Sequence, residues 1–235
     1  MITVENLGIC FGETWIFKKL SFQIVAGESA VLIGPSGGGK SVLLKLIAGL
    51  LLPTEGRVTL QSTDLGMLFQ KNALFDSFTI EENLLFPLKE RKSLEGAPAR
   101  DRAKKMLQAV GLDGTQALYP NEISGGMQKR LGIARALIVE PKIILYDEPT
   151  AGLDPITSRT IAELIETLRS QSGSTLLTVT NDVQRAYQLA DRIYFLAQGN
   201  LSDGGTPTDV QKTTDPALKQ FIYGLKQGPL TSSLA

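Results

Sequence analysis

Short apolar runs bounded by turn residues alternate along this chain with stretches whose apolar positions recur every three or four residues. Leu20-Ser21-Phe22-Gln23-Ile24 alternates strictly and ends at Ala26-Gly27. Residues 1–33 are therefore expected to form antiparallel strands leading into a buried strand at Ala30-Val31-Leu32-Ile33. A helix is predicted from Ser41 to Leu50, then short strands at Arg57–Leu60 and Leu65–Phe69. From about Asn72 the spacing lengthens. Ile80, Leu84 and Leu85 lie at helical intervals, as do Ala103, Met106, Leu107 and Val110, with Gly111 as the stop. The polar run Lys89 to Pro98, broken by Gly96 and Pro98, is predicted to be the loop between these helices.

A buried strand returns at Lys142–Tyr146. Asp154 then caps a helix with Pro155 at its first position, and Ile161, Leu164, Ile165 and Leu168 supply the apolar face. Strands at Thr175–Thr180 and Arg192–Leu196 flank a helix from Val183 to Ala190. Two short helices are expected after Pro207, then a loose end from Gly228 to Ala235. Alternating strands and helices predict a mostly parallel sheet covered on both faces. Residues 72–138 read as a helical insertion into that α/β core, and no internal repeat interrupts the pattern.

Composition narrows the picture little but usefully. With 235 residues, 43% of them hydrophobic, the chain can bury a substantial core. Its 24 basic residues balance 24 acidic ones, so net charge gives no case for nucleic acid. The single cysteine, Cys10, cannot form an internal disulfide and is expected to be a small buried hydrophobe. Met1-Ile2-Thr3-Val4-Glu5 lacks the layout of a secretory signal. The longest apolar run, Val42 to Leu52, contains Lys45 and is too short to span a bilayer. A soluble chain is expected, reaching any membrane through a partner.

The chemistry begins at Gly34-Pro35-Ser36-Gly37-Gly38-Gly39-Lys40-Ser41, which fits G-x-x-x-x-G-K-[ST]. Between a strand and a helix, such a loop aims backbone N–H groups and the positive helix end at phosphates. Lys40 would reach the β- and γ-phosphates, and the Ser41 hydroxyl would ligate Mg²⁺. Ile143–Tyr146 ends in two acids. Asp147 is placed to hold the metal, directly or through water, and Glu148 to polarise an attacking water. Ser124-Gly125-Gly126 at a predicted helix start makes another N–H-rich anion site. Taken singly, the last two are also a solvated acid pair and a capped helix.

In this order the elements resemble the nucleotide-binding subunit of an ATP-binding-cassette (ABC) transporter, from residue 1 to about 223. The resemblance implies an α/β fold with a RecA-like P-loop ATPase core, an N-terminal antiparallel β layer and an inserted helical subdomain. It implies one cassette domain over 1–235, with core 1–71 and 139–206, helical subdomain 72–138 and tail 207–235. ATP and Mg²⁺ are the implied cofactors. Two subunits are expected to sandwich two ATP molecules head to tail, as a homodimer. Gly34 to Ser41 then corresponds to the Walker A loop, with Val42 also at the nucleotide, Asp147 and Glu148 to the Walker B pair, and Gln70 to the Q-loop residue that senses Mg²⁺ and water. Ser124, Gly125 and Gly126 form the signature that closes on the partner's nucleotide. Asp154, in Ala151-Gly152-Leu153-Asp154, is a D-loop residue, a helix cap, or both. Phe11 is either the aromatic that stacks on adenine or a core phenylalanine.

Three departures stand out. The signature reads Ile-Ser-Gly-Gly-Met, so Met127 replaces the usual glutamine, and the segment between Lys40 and Gln70 is short. Asn181 aligns where the family carries a histidine, and the chain has none. An amide donates a hydrogen bond but cannot carry charge or relay a proton, so slower but not absent hydrolysis is expected.

One cassette without membrane helices or heptad runs suits a peripheral subunit on the cytoplasmic face of the inner membrane, beneath a separate integral-membrane permease. Phe69 to Thr79, Glu82-Asn83, Phe86-Pro87-Leu88, Tyr119 to Met127, Lys219-Gln220-Phe221-Ile222 and Gly228-Pro229 resemble the ATPase of Mla-type lipid transporters. That narrower resemblance implies phospholipid transport between bacterial membranes, with a mammalian-cell-entry-type lipid-binding protein as a further partner. Leu74, Phe75 and Phe78 are either a groove for a permease helix or ordinary core. The alternatives are a soluble ABC ATPase acting on ribosomes or nucleic acid, and a slow or non-hydrolysing ATP-dependent clamp suggested by Asn181.

Overall fold

Strong apolar alternation at the start of the chain produces a three-stranded antiparallel layer. β1 (Ile2–Phe11) lies between β2 (Thr14–Ile24) and β4 (Glu55–Leu60), with Ile2 opposite both Ile24 and Leu60. Ile2, Val4, Leu7 and Ile9 are buried. Cys10 is not: it is half-buried, with Sγ 3.5 Å from Thr54 Oγ1, beside the turn that joins β1 to β2. The computed structural model describes residues 1–231. Two compact units divide the chain, one from residues 1–63 and those from 175 onward, the other from residues 64–174.

The first unit also holds strands in the order β7 (Thr175–Thr180), β3 (Ser29–Ile33), β8 (Arg192–Ala197), β9 (Asn200–Gly205). β3 runs parallel to both neighbours, with Ser29 opposite Leu176 and Ala30 opposite Arg192. All residues of β3 and β7 are buried, which is why these strands are rich in apolar and β-branched residues and do not alternate with charged ones. β9 is an addition to the sequence reading. Its polar, glycine-rich residues carry no strand pattern, and it forms by antiparallel pairing with β8.

α1 (Lys40–Ile47) is shorter than the predicted 41–50, because Gly49 at φ +71° closes it. α6 (Val183–Leu189) begins at Asp182, whose side chain accepts from Arg185 N. α7 (Pro207–Gln211) and α8 (Pro216–Tyr223) are the two expected short helices. The segment after them is not loose as far as Thr231. Gln220, 4% exposed, donates to Leu225 O and Thr231 Oγ1 and accepts from Leu230 N. Residues 232–235 of the predicted loose end lie outside the described residues.

In the second unit β5 (Leu65–Leu68) runs parallel to β6 (Ile143–Asp147). α2 (Ile80–Glu90), α3 (Gly96–Ala109), α4 (Gly125–Leu137) and α5 (Pro155–Ser172) accompany them. Ile80, Leu84 and Leu88 meet Ala103, Leu107, Leu131 and Ala134 in one core, against which Leu74, Leu164 and Leu168 pack. Thr79 and Glu82 close a capping box at the start of α2. The predicted loop Lys89–Pro98 is present but shorter, residues 91–95, with helix at both of its ends. Glu90 ends α2 and Gly96 opens α3, whose first turn accepts Pro98 because the N–H it lacks would have no helical partner there.

Buried Asn83 fastens the approach to α2. Its amide donates to the carbonyls of Phe75, Phe78 and Thr79, and its Oδ1 accepts from Phe75 N. This holds Phe75 and Phe78 beside Phe86, with ring centroids 4.8–5.9 Å apart.

Candidate functional site

The first unit carries the phosphate loop. β3 delivers the chain to Gly34, and three glycines then take backbone angles that other residues resist: Gly34 at φ +153°, Gly37 at +78° and Gly39 at +91°. Gly38 N donates to Pro35 O at 3.1 Å, and Leu43 N to Gly39 O, so the loop winds directly into α1. Lys40 is 7% exposed, and its ammonium donates to Gly34 O at 2.7 Å and Pro35 O at 3.0 Å. Those bonds hold the cation across the mouth of its own loop. Ser41 and Val42 follow in the first turn of α1, both half-buried. Asn181, just past β7, reaches the same loop: its Nδ2 donates to Ser36 Oγ at 3.4 Å.

Beside the loop lies a cleft of about 580 Å³, lined by Trp15–Lys18, Pro35–Gly38 and Gln198–Asn200. Its size falls within the range of small-ligand sites. Phe11 is 52% exposed at the end of β1 and is not among the lining residues. Two aromatic residues stand in the wall, the buried Phe17 and Trp15, the latter with Lys18 Nζ 4.2 Å from its ring centroid. Nothing in the spacing of the motif pointed to Trp15.

The second unit carries the acids and the signature. Every residue of β6 is buried, and Asp147 at its end is 5% exposed. Glu148 then takes φ +48°, a left-handed angle rare for a residue with a side chain, so the chain leaves the strand axis at the second acid. Ala151 N donates to Glu148 O, closing the turn. Gln70 follows β5 with its side chain exposed.

Ser124 caps α4, its Oγ accepting from Met127 N at 3.3 Å. Ser124 and Gly125 are exposed, and a Cβ on Gly125 would meet nothing within 4 Å. An exposed helix start of this kind presents unpaired N–H groups to an anion. Asp154 caps α5, accepting from Ile156 N and Thr157 N. The Thr157 hydroxyl and N–H hold its carboxyl below the ordinary range.

A residue that the sequence reading passed over completes this group. Lys129 on α4 is 5% exposed and donates from Nζ to Gln70 O at 2.7 Å. Burial pulls its pKa down, while the charges of Glu148 and Asp147 act in the opposite sense. In the sequence Lys129 follows the signature directly, and nothing in its neighbours marks it as buried.

Among the described residues, no helix is long and apolar enough to cross a membrane. The family profile described as ABC transporter matches residues 17–151. Over 99% of its length the chain is 40% identical to the probable ribonucleotide transport ATP-binding protein mkl of Mycobacterium leprae, covering 71% of that protein. It is 35% identical to the intermembrane phospholipid transport system ATP-binding protein MlaF of Haemophilus influenzae, over 98% of this chain and 93% of that one. A solved dimeric ATP-binding cassette, MJ0796, in a post-hydrolysis state bound to ADP and Pi, superposes with a TM-score of 0.76. That match has 33% identity and covers 86% of this chain and 98% of the other. The strand–glycine loop–helix geometry and these matches agree, and the chain belongs to the ABC transporter family, as its ATP-hydrolysing cassette.

Proposed function

We propose that this cassette powers phospholipid transport between bacterial membranes, acting as a homodimer under a separate integral-membrane permease at the cytoplasmic face of the inner membrane. The observation that carries the substrate is likeness to MlaF along essentially the whole chain. A mammalian-cell-entry-type lipid-binding protein is the further partner in this reading. A second reading, ribonucleotide transport, is favoured by the name of the mycobacterial relative.

In the proposed mechanism Lys40 leaves its loop carbonyls for the β- and γ-phosphates, and the loop N–H groups from Gly37 to Ser41 hold the remaining oxygens. Glu148 accepts the proton of the attacking water, oriented by Gln70. Asn181 donates to the γ-phosphate. Ser124, Gly125 and Gly126 close on the nucleotide of the second subunit, and Asp154 signals across the dimer. Ser41, Gln70 and Asp147 offer a hydroxyl, an amide oxygen and a buried carboxylate. This all-oxygen set suits Mg²⁺, which binds through one or two carboxylates plus substrate phosphates. When bound, the ion neutralises charge on the phosphates. The core, helical subdomain and tail are assigned to 1–71 with 139–206, 72–138 and 207–235.

A gentle detergent pull-down of the tagged chain from its own cells tests the substrate. A multi-span permease with phospholipid and a mammalian-cell-entry-type subunit is expected. A different permease without lipid would keep the transporter and discard the cargo. Ribosomes or DNA without membrane protein would sink the transporter reading.

Asn181 allows a rate test. The amide already reaches the phosphate loop, so restoring an imidazole needs no rebuilding of the backbone. Asn181→His is expected to raise kcat by about tenfold, part of the 10²–10³ that a lost donor to transition-state charge costs. Steady-state phosphate release measures this, and an unchanged or lower kcat would count against the assigned role.

A further inference from the structure

α4 turns one side toward the segment that follows β5. Lys129 holds Gln70 O, and six residues on Arg135 donates to Ala73 O, its guanidinium carbon 4.5 Å from the Phe75 ring centroid. Between them Gly132 permits close approach: a Cβ there would lie 2.7 Å from Leu68 Cδ1 and 3.3 Å from Asn72 Cβ. Positions 129, 132 and 135, three residues apart, share this side of the helix.

The segment they grip is strained. Asn72 and Ala73 both take left-handed angles, φ +60° and +51°, although neither is glycine. Such pairs persist where surrounding structure dictates them. The grip is on backbone carbonyls, and the Gln70 side chain is left exposed.

A buried ammonium loses hydration that one carbonyl does not replace, so it is retained where nearby negative charge compensates. Glu148 and Asp147 supply part of that compensation, burial remaining the larger effect. We propose that Lys129 is a positioning residue for ATP hydrolysis: from the signature helix it locks the Gln70 backbone in register with the Asp147 and Glu148 carboxylates. The inference rests on the reading that these three residues serve hydrolysis. It makes the signature helix and the Q-loop one mechanical piece, so that placing the first sets the second.

The test compares Lys129→Met with Lys129→Arg in the full chain, measuring kcat, KM for ATP and the thermal midpoint. Lys129→Met is expected to lower kcat by about tenfold to a hundredfold, as small misplacements of catalytic groups do, with KM within threefold of the parent. Lys129→Arg, which keeps a cation and a donor, is expected to return kcat to within threefold. A folded Lys129→Met with parental kcat, a parallel loss of ATP binding, or no rescue by arginine would overturn the proposal. Should Lys129→Met not fold, Lys129→Gln is read against Lys129→Arg by the same criteria. Glu148→Gln serves as the control. If that variant turns over ATP like the parent, the reading of the site fails; if it is inactive while Lys129→Met is not impaired, only the role of Lys129 fails.

Discussion

Glu148→Gln is expected to lower kcat by about 10³ while ATP affinity stays within threefold of the parent. The substitution keeps shape and exposure but removes the group that accepts a proton, and general-base catalysis is worth roughly 10²–10⁴. The structure gives this side chain a setting of its own. Asp147 ends the buried strand, and the left-handed turn at the next residue sends Glu148 in another direction. A backbone angle that costs on the order of 1–3 kcal/mol is retained at the residue assigned to the water. Phosphate release and equilibrium ATP binding, measured on the same preparation, check the split. Loss of binding together with turnover would make Glu148 a structural residue instead.

Gly34→Ala is expected to abolish ATP binding and to destabilise the chain by roughly 2–5 kcal/mol, combining backbone strain with overpacking. A Cβ at this position would stand 2.0 Å from the carbonyl oxygen of Leu196 on β8, and backbone cannot swing aside as a flexible side-chain tip can. Gly37→Ala is the matched control. Its φ of +78° carries strain of about 1–2 kcal/mol, yet nothing lies within 4 Å of the added carbon. Thermal unfolding and ATP binding of the two variants should therefore diverge sharply. Equal behaviour would mean that the loop's glycines matter for chain flexibility alone and that contact with β8 is irrelevant.

Much of this was legible because period and punctuation agreed. The buried runs of β3, β6 and β7, the Asp154-Pro155 start of α5 and the glycine loop each carry a local pattern sufficient for its structure. Elements that escaped depend on distant partners. β9 is polar and becomes a strand by pairing with β8. Gly96 and Pro98 look like loop punctuation, yet both fit the first turn of α3. Residues 228–231 look loose until Gln220 supplies their hydrogen bonds. Lys129 was invisible as a buried cation because its burial comes from helix packing that no sequence window contains. Phe11 is the remaining case: the sequence leaves it a stacking ring or a core phenylalanine, and it is exposed at the end of β1, outside the lining of the cleft beside the loop.

The order of strands in the first unit bears on how this chain is made. β3 emerges early from the ribosome, but both strands that flank it, β7 and β8, begin only at Thr175 and Arg192. At synthesis rates of about 5–20 residues per second, the nascent chain carries a largely apolar strand without its native neighbours for about 7–30 seconds. The second unit, residues 64–174, is synthesised completely in that interval. Vectorial synthesis thus leaves the phosphate strand as the segment most in need of a chaperone. It also delays the support of the glycine loop until most of the chain has been translated, after Asp147 and Glu148 have been made.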